Sequence, residues 1–102
     1  MALYKAYPKK GTTCKVTFEL PVDATTGVKK IALVGDFNNW NKTAHFLSLN
    51  KEGRYSITLV LDQGKEYQFR YLMDESRWEN DWAADKYFPS SYGNADNSVV
   101  IV

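Results

Sequence analysis

The sequence predicts an all-β chain, an antiparallel β-sandwich of immunoglobulin-like size. Three features predict it. Apolar residues recur with a period of two, the strand-like runs are short and divided by turn residues, and no 11-residue window carries a convincing 3.6-residue period. A length of 102 residues suits one domain with a modest core.

Each element follows from its pattern. Val16, Phe18 and Leu20 alternate with Lys15, Thr17 and Glu19, a half-buried strand closed by Pro21. After the turn-rich Asp23–Gly27, the run from Lys30 to Phe37 is nearly continuously apolar, which predicts a central strand covered on both faces. Asn38 and Asn39 supply a turn, and a short strand is expected over Phe46–Leu49 before the Gly53 hairpin loop. Tyr55, Ile57, Leu59 and Leu61 alternate with polar or smaller neighbours. Beyond the Asp62–Gly64 turn, Tyr67, Phe69, Tyr71 and Met73 share one face and leave Gln68, Arg70 and Leu72 on the other. Ser98–Val102 reads as a closing strand. The best helical candidate is a turn or two within Glu79–Lys86. Residues 1–14 are read as a poorly patterned N-terminal arm, and 15–102 as the sandwich domain.

Composition excludes several functions. Thirteen Lys and Arg against twelve Asp and Glu leave no basic surplus for phosphate, so a nucleic-acid partner is not expected. No segment reaches the 18 or so apolar residues of a membrane span, no leader is evident, and a cytoplasmic location is the default expectation. One Cys and one His predict neither a disulfide nor a metal site, and no cofactor is implied. Asp74 with Glu75, or Asp81 with Asp85, could be posed as a catalytic carboxylate pair, but so small a sandwich offers no deep cleft to raise one pKa. These acids read as solvated loop residues. A Cys14–His45 nucleophile lacks a third orienting group, so no enzyme is expected.

The aromatic residues, 15% of the chain, are where function is sought. Trp40 directly follows a turn, Trp78 follows Asp74–Arg77, and Trp82 lies in an irregular segment. Such rings either cap the core or stay exposed as platforms for the C–H face of a sugar, with amides reading the hydroxyl rim.

Four motifs, in this order, carry a family resemblance: Val34-Gly-Asp-Phe-Asn-Asn-Trp40, Glu66-Tyr-Gln-Phe-Arg-Tyr-Leu-Met-Asp74, Trp78-Glu-Asn-Asp81 and Gly93-Asn-Ala-Asp-Asn-Ser-Val-Val100. From about Val16 to Val102 the chain resembles carbohydrate-binding module family 48. That family includes the early-set domains of isoamylases and branching enzymes and the glycogen-binding domain of the AMP-activated protein kinase beta subunit; small bacterial stand-alone forms are the most similar. The resemblance implies an early-set immunoglobulin-like sandwich that binds α-1,4-linked glucan without catalysis. It implies Trp40 and Trp78 as stacking residues, Asn97 as a hydroxyl contact, Gln68 and Arg70 as further polar contacts from one strand face, and Tyr92 as a loop contact. The loop before Trp78 is two residues longer than the common form. A glycogen-metabolising enzyme is an implied partner. The alternative is an accessory or protein-interaction domain, related to the N-terminal domains of those hydrolases, that has lost sugar binding.

Overall fold

The computed structural model describes residues 1–90 and 95–102. Two antiparallel sheets face each other across one core. The first runs β1 (Ala2–Ala6), β2 (Thr13–Leu20), β5 (Tyr55–Asp62), β4 (Ser48–Leu49). The second runs β3 (Ile31–Gly35), β6 (Glu66–Met73), β9 (Asp96–Ile101), β8 (Lys86–Pro89), with β7 (Arg77–Glu79) also paired to β6. The expected all-β sandwich is what forms.

Period-two patterning does the folding. In the first sheet Cys14, Val16, Phe18 and Leu20 stand opposite Leu61, Leu59, Ile57 and Tyr55 and point inward together. In the second, Ile31 and Leu33 join Phe69, Tyr71, Met73 and Val100. An aromatic edge contact joins the layers, Phe18 of β2 meeting Phe69 of β6 at 5.2 Å between centroids, nearly perpendicular, and Phe69 in turn meets Tyr71 on its own strand at 5.7 Å. With 16 apolar residues buried among those described, removing an inward Phe would cost about 3–5 kcal/mol.

Four local expectations are corrected. Residues 1–14 are not without pattern: Leu3, opposite Phe18, packs on the core and recruits Ala2–Ala6 as an edge strand. β3 is not central. Its outer edge meets only the segment around Phe46, through Leu33 N–H to His45 O and Leu47 N–H to Ile31 O, both at 2.9 Å. Its second apolar face is instead covered by a small cluster of Ala32, Val34, Leu72 and the Trp40 ring. The helical turn expected within Glu79–Lys86 does not form; β7 ends there and β8 begins. Finally, Asp81 is not solvated. It is fully buried, and its carboxylate accepts from Tyr71 Oη at 2.7 Å and Ala83 N–H at 2.8 Å.

Asp81 explains the missing helix. Its own N–H donates to Ser98 Oγ and its carbonyl accepts from Tyr87 Oη, so its backbone and side chain are committed to β8, β9 and the core. A residue that bonds the backbone two positions on favours a turn over a helix. The other acids considered for catalysis are exposed, as expected of loop acids, and hold surface partners: Asp74 Oδ1 accepts the N–H of both Lys29 and Lys30, Glu75 pairs with Lys30, and Asp85 holds Lys5 and Ile101 N–H. Cys14 is buried in the core, while His45 Nδ1 lies 2.9 Å from Asn38 Nδ2.

Burial, then the neighbouring Asp81 carboxylate, raises the Tyr71 phenol well above 10.0. Above about pH 10 the unfolded chain releases this proton while the folded one keeps it, so stability falls with rising pH, by up to about 1.4 kcal/mol per unit for this group. Tyr71→Phe should lower stability at pH 7 by about 1–3 kcal/mol through the orphaned carboxylate. It should also flatten the alkaline decline, as read by denaturant melts between pH 8 and 11.

Candidate functional site

The outward face of the second sheet carries a groove of about 800 Å³. Alternation puts it there. While Phe69 and Tyr71 of β6 enter the core, Gln68, Arg70 and Leu72 face outward, with Trp78 of β7 directly opposite Leu72. Asn97 of β9 and Phe88 of β8 are also direct cross-strand partners, and both line the groove.

Trp40 arrives by a different route. A single 3₁₀ turn, Asp36–Asn38, follows β3 and ends in two residues with left-handed backbone, Asn39 at φ 56° and Trp40 at φ 58°. Trp40 N–H then closes on Gly35 O at 2.9 Å, a six-residue return of the kind that ends helices. Left-handed backbone is unusual for a bulky residue and costs on the order of 1–3 kcal/mol. Asn38 offsets that cost: its Oδ1 accepts Gly35 N–H, and its Nδ2 donates to Leu33 O. Asp36 completes the arrangement, one carboxylate oxygen accepting the Trp40 indole N–H at 2.9 Å and the other the Gln68 backbone N–H at 2.8 Å. One acid thus ties the ring to the strand bearing the polar groups.

The two indoles differ in exposure. Trp78 is 38% exposed. Trp40 is half-buried, packing on the Ala32, Val34 and Leu72 cluster while lining the groove. Lys42 also lines it, its ammonium 5.8 Å from the Trp78 ring centroid. Between the indoles the polar groups are arranged unequally. Asn97 Nδ2 donates to Gln68 Oε1 at 2.9 Å, so Gln68 keeps its amide hydrogens and Asn97 its carbonyl for other partners. Arg70 Nε and Nη2 are buried and have no hydrogen-bond partner among the described residues. A charged donor in that condition is costly, by about 1–3 kcal/mol or more.

Five residues singled out from the sequence, Trp40, Trp78, Gln68, Arg70 and Asn97, therefore line one groove. Tyr92 lies outside the described residues. Asn80 is absent from the lining, its amide spent on Asp96 O and Ser98 Oγ. Trp82, 65% exposed, is also absent. Sequence reading missed Asp36, Lys42 and Phe88. Asp36 had a signal in its spacing of four residues from Trp40; Phe88 had none, because β8 itself was not anticipated. Among the described residues no cluster of three His, Cys, Asp or Glu could hold a metal ion, and no helix is long and apolar enough to cross a membrane.

Gly35 sets the approach of this turn to β6. A Cβ there would lie 2.4 Å from the Gln68 carbonyl oxygen and 2.7 Å from Phe69 Cβ. Gly35→Ala should therefore cost about 2–3 kcal/mol in a urea melt and displace Gln68.

A family model described as the glycogen recognition site of AMP-activated protein kinase matches residues 14–102. Among curated proteins no match is found.

Proposed function

The chain belongs to that glycogen-recognition family, and on this premise we propose that the groove binds α-1,4-linked glucan without altering it. The observation that carries the reading is the pairing of two groove-lining indoles with an arginine whose Nε and Nη2 have no acceptor among the described residues. A pyranose ring offers both things this surface asks for. Its C–H face covers an indole, removing apolar area from water, and its hydroxyls accept from a guanidinium and exchange hydrogen bonds with amides.

Roles follow from chemistry. Trp78 and the groove side of Trp40 form the apolar floor for successive glucose units. Arg70 turns its unpaired donors toward sugar oxygens, and the Gln68–Asn97 couple supplies a donor and an acceptor side by side. Asp36 orients Trp40 and holds the β6 backbone, one carboxylate oxygen on each. Asp74, Glu75 and Asp85, the other acids considered, bond backbone N–H groups or cations, which favours a binding role over hydrolysis.

Binding in the micromolar to millimolar range is expected, about −4 to −8 kcal/mol, because water competes for every hydroxyl. Such affinity suits a module that gains avidity beside a glycogen-metabolising enzyme.

Isothermal titration with maltoheptaose tests the proposal. Trp78→Ala should weaken binding at least about tenfold while barely moving the melting temperature, since the ring is exposed. Trp40→Ala should weaken binding and also cost about 1–2 kcal/mol of stability, by uncovering the apolar cluster beneath it. Arg70→Leu should lose affinity and Arg70→Lys recover part of it. A folded protein that gives no heat with maltoheptaose, glycogen or β-cyclodextrin would overturn the reading.

A further inference from the structure

We propose that Phe88 is a third stacking residue, which makes the groove specific for oligosaccharides long enough to cross the sheet from Trp40 to β8. The inference rests on the glucan reading above and adds to it a length requirement.

Phe88 is 52% exposed on an edge strand, where a large apolar ring gains little by folding. It belongs to neither apolar cluster of the protein and pairs with no other aromatic ring among the described residues. Its register decides where it points. Phe88 stands directly across from Asn97, so it shares the outward face, whereas its neighbour Tyr87 stands across from buried Ser98 and turns its hydroxyl to Asp81 O. The ring accordingly lines the same groove as Trp40 and Trp78.

The strand order then sets the scale. Trp40 lies over β3 and Phe88 sits on β8, at opposite sides of the order β3-β6-β9-β8. Three inter-strand steps make that span about 14 Å, wider than one sugar ring. Arg70, Gln68 and Asn97 occupy the two strands between. A ligand touching both apolar sides must therefore cross the polar middle, contacting aromatic, polar and aromatic surface in turn. Trp78, on β7, stands on the same edge of β6 as β9 and so between Trp40 and Phe88; a short oligosaccharide seated on the two indoles and the polar middle leaves Phe88 in water.

Titration of maltotriose and maltoheptaose into wild type, Phe88→Ala, Phe88→Tyr and Trp78→Ala separates the possibilities. Wild type should bind maltoheptaose more tightly. Phe88→Ala should lose about tenfold on maltoheptaose, the low end of what one stacked ring is worth on aromatic platforms. It should lose less than about twofold on maltotriose, narrowing the difference between the two ligands, and Phe88→Tyr should retain the preference. Trp78→Ala should weaken both. Unchanged maltoheptaose affinity in Phe88→Ala overturns the inference, and so does an equal loss on both sugars, which would mark Phe88 as a prop for Asn97. Those outcomes leave the glucan reading standing if Trp78→Ala still loses binding. Absence of binding by folded wild type overturns both.

Discussion

The arrangement depends on one constraint: β6 serves the core with one face and the groove with the other. Tyr67, Phe69, Tyr71 and Met73 pack inward while Gln68, Arg70 and Leu72 look out. In a strand these two sets are inseparable, because a slip of one residue exchanges them. Packing three fully buried or nearly buried side chains therefore locks the groove's polar groups in register without any interaction among those groups themselves. The same strand pairs with β3, β7 and β9, so it also sets where Trp78 and Asn97 stand.

Around that strand, backbone strain and hydrogen bonding are set against each other. Trp40 occupies left-handed backbone that a tryptophan seldom adopts. It stays there because Asn38 bonds the flanking strand, Asp36 holds the indole nitrogen, and the ring covers Ala32, Val34 and Leu72. In the role proposed for it, a ring held this way would lose little side-chain freedom on meeting a ligand, so less ordering cost would be charged against binding. The β6–β7 turn follows a related logic. Asp74 and Glu75 both have positive φ, and Asp74 Oδ1 receives two backbone N–H groups from the segment leading into β3. This is the backbone that matches the twist of a tight hairpin, and it delivers Trp78 to a position beside Leu72.

Buried polarity is handled in two opposite ways. Around Asp81 every contact is closed: Tyr71, Ala83, Ser98 and Tyr87 meet its oxygens and its N–H, and the network fastens β8 to the body of the sheet. Around Arg70 two donors have no partner among the described residues. A protein seeking only stability would close both, since an unpaired charged donor costs more than a missing one. The contrast between the satisfied acid and the unsatisfied base separates scaffold from groove.

The sequence by itself determined the class of fold, six of its strands, and the faces of β2, β5 and β6, because period-two alternation is a local property that burial on one face enforces. It also singled out Trp40, Trp78, Gln68, Arg70 and Asn97, which the folded chain gathers along one groove. Other elements were not legible. β1, β7 and β8 are short edge or partial strands whose existence depends on what they meet: Leu3 on the core, Leu72 across from Trp78, Asn97 across from Phe88. The apolar run of β3 suggested a central strand, yet its outer face was reserved for Trp40, a residue five positions beyond Gly35 that returns over it. The acidic pattern near Asp81 looked solvated because nothing local reveals that Tyr71, ten residues earlier, would bury it. Those facts are decided by pairing and packing between distant residues, and only the tertiary structure contains them.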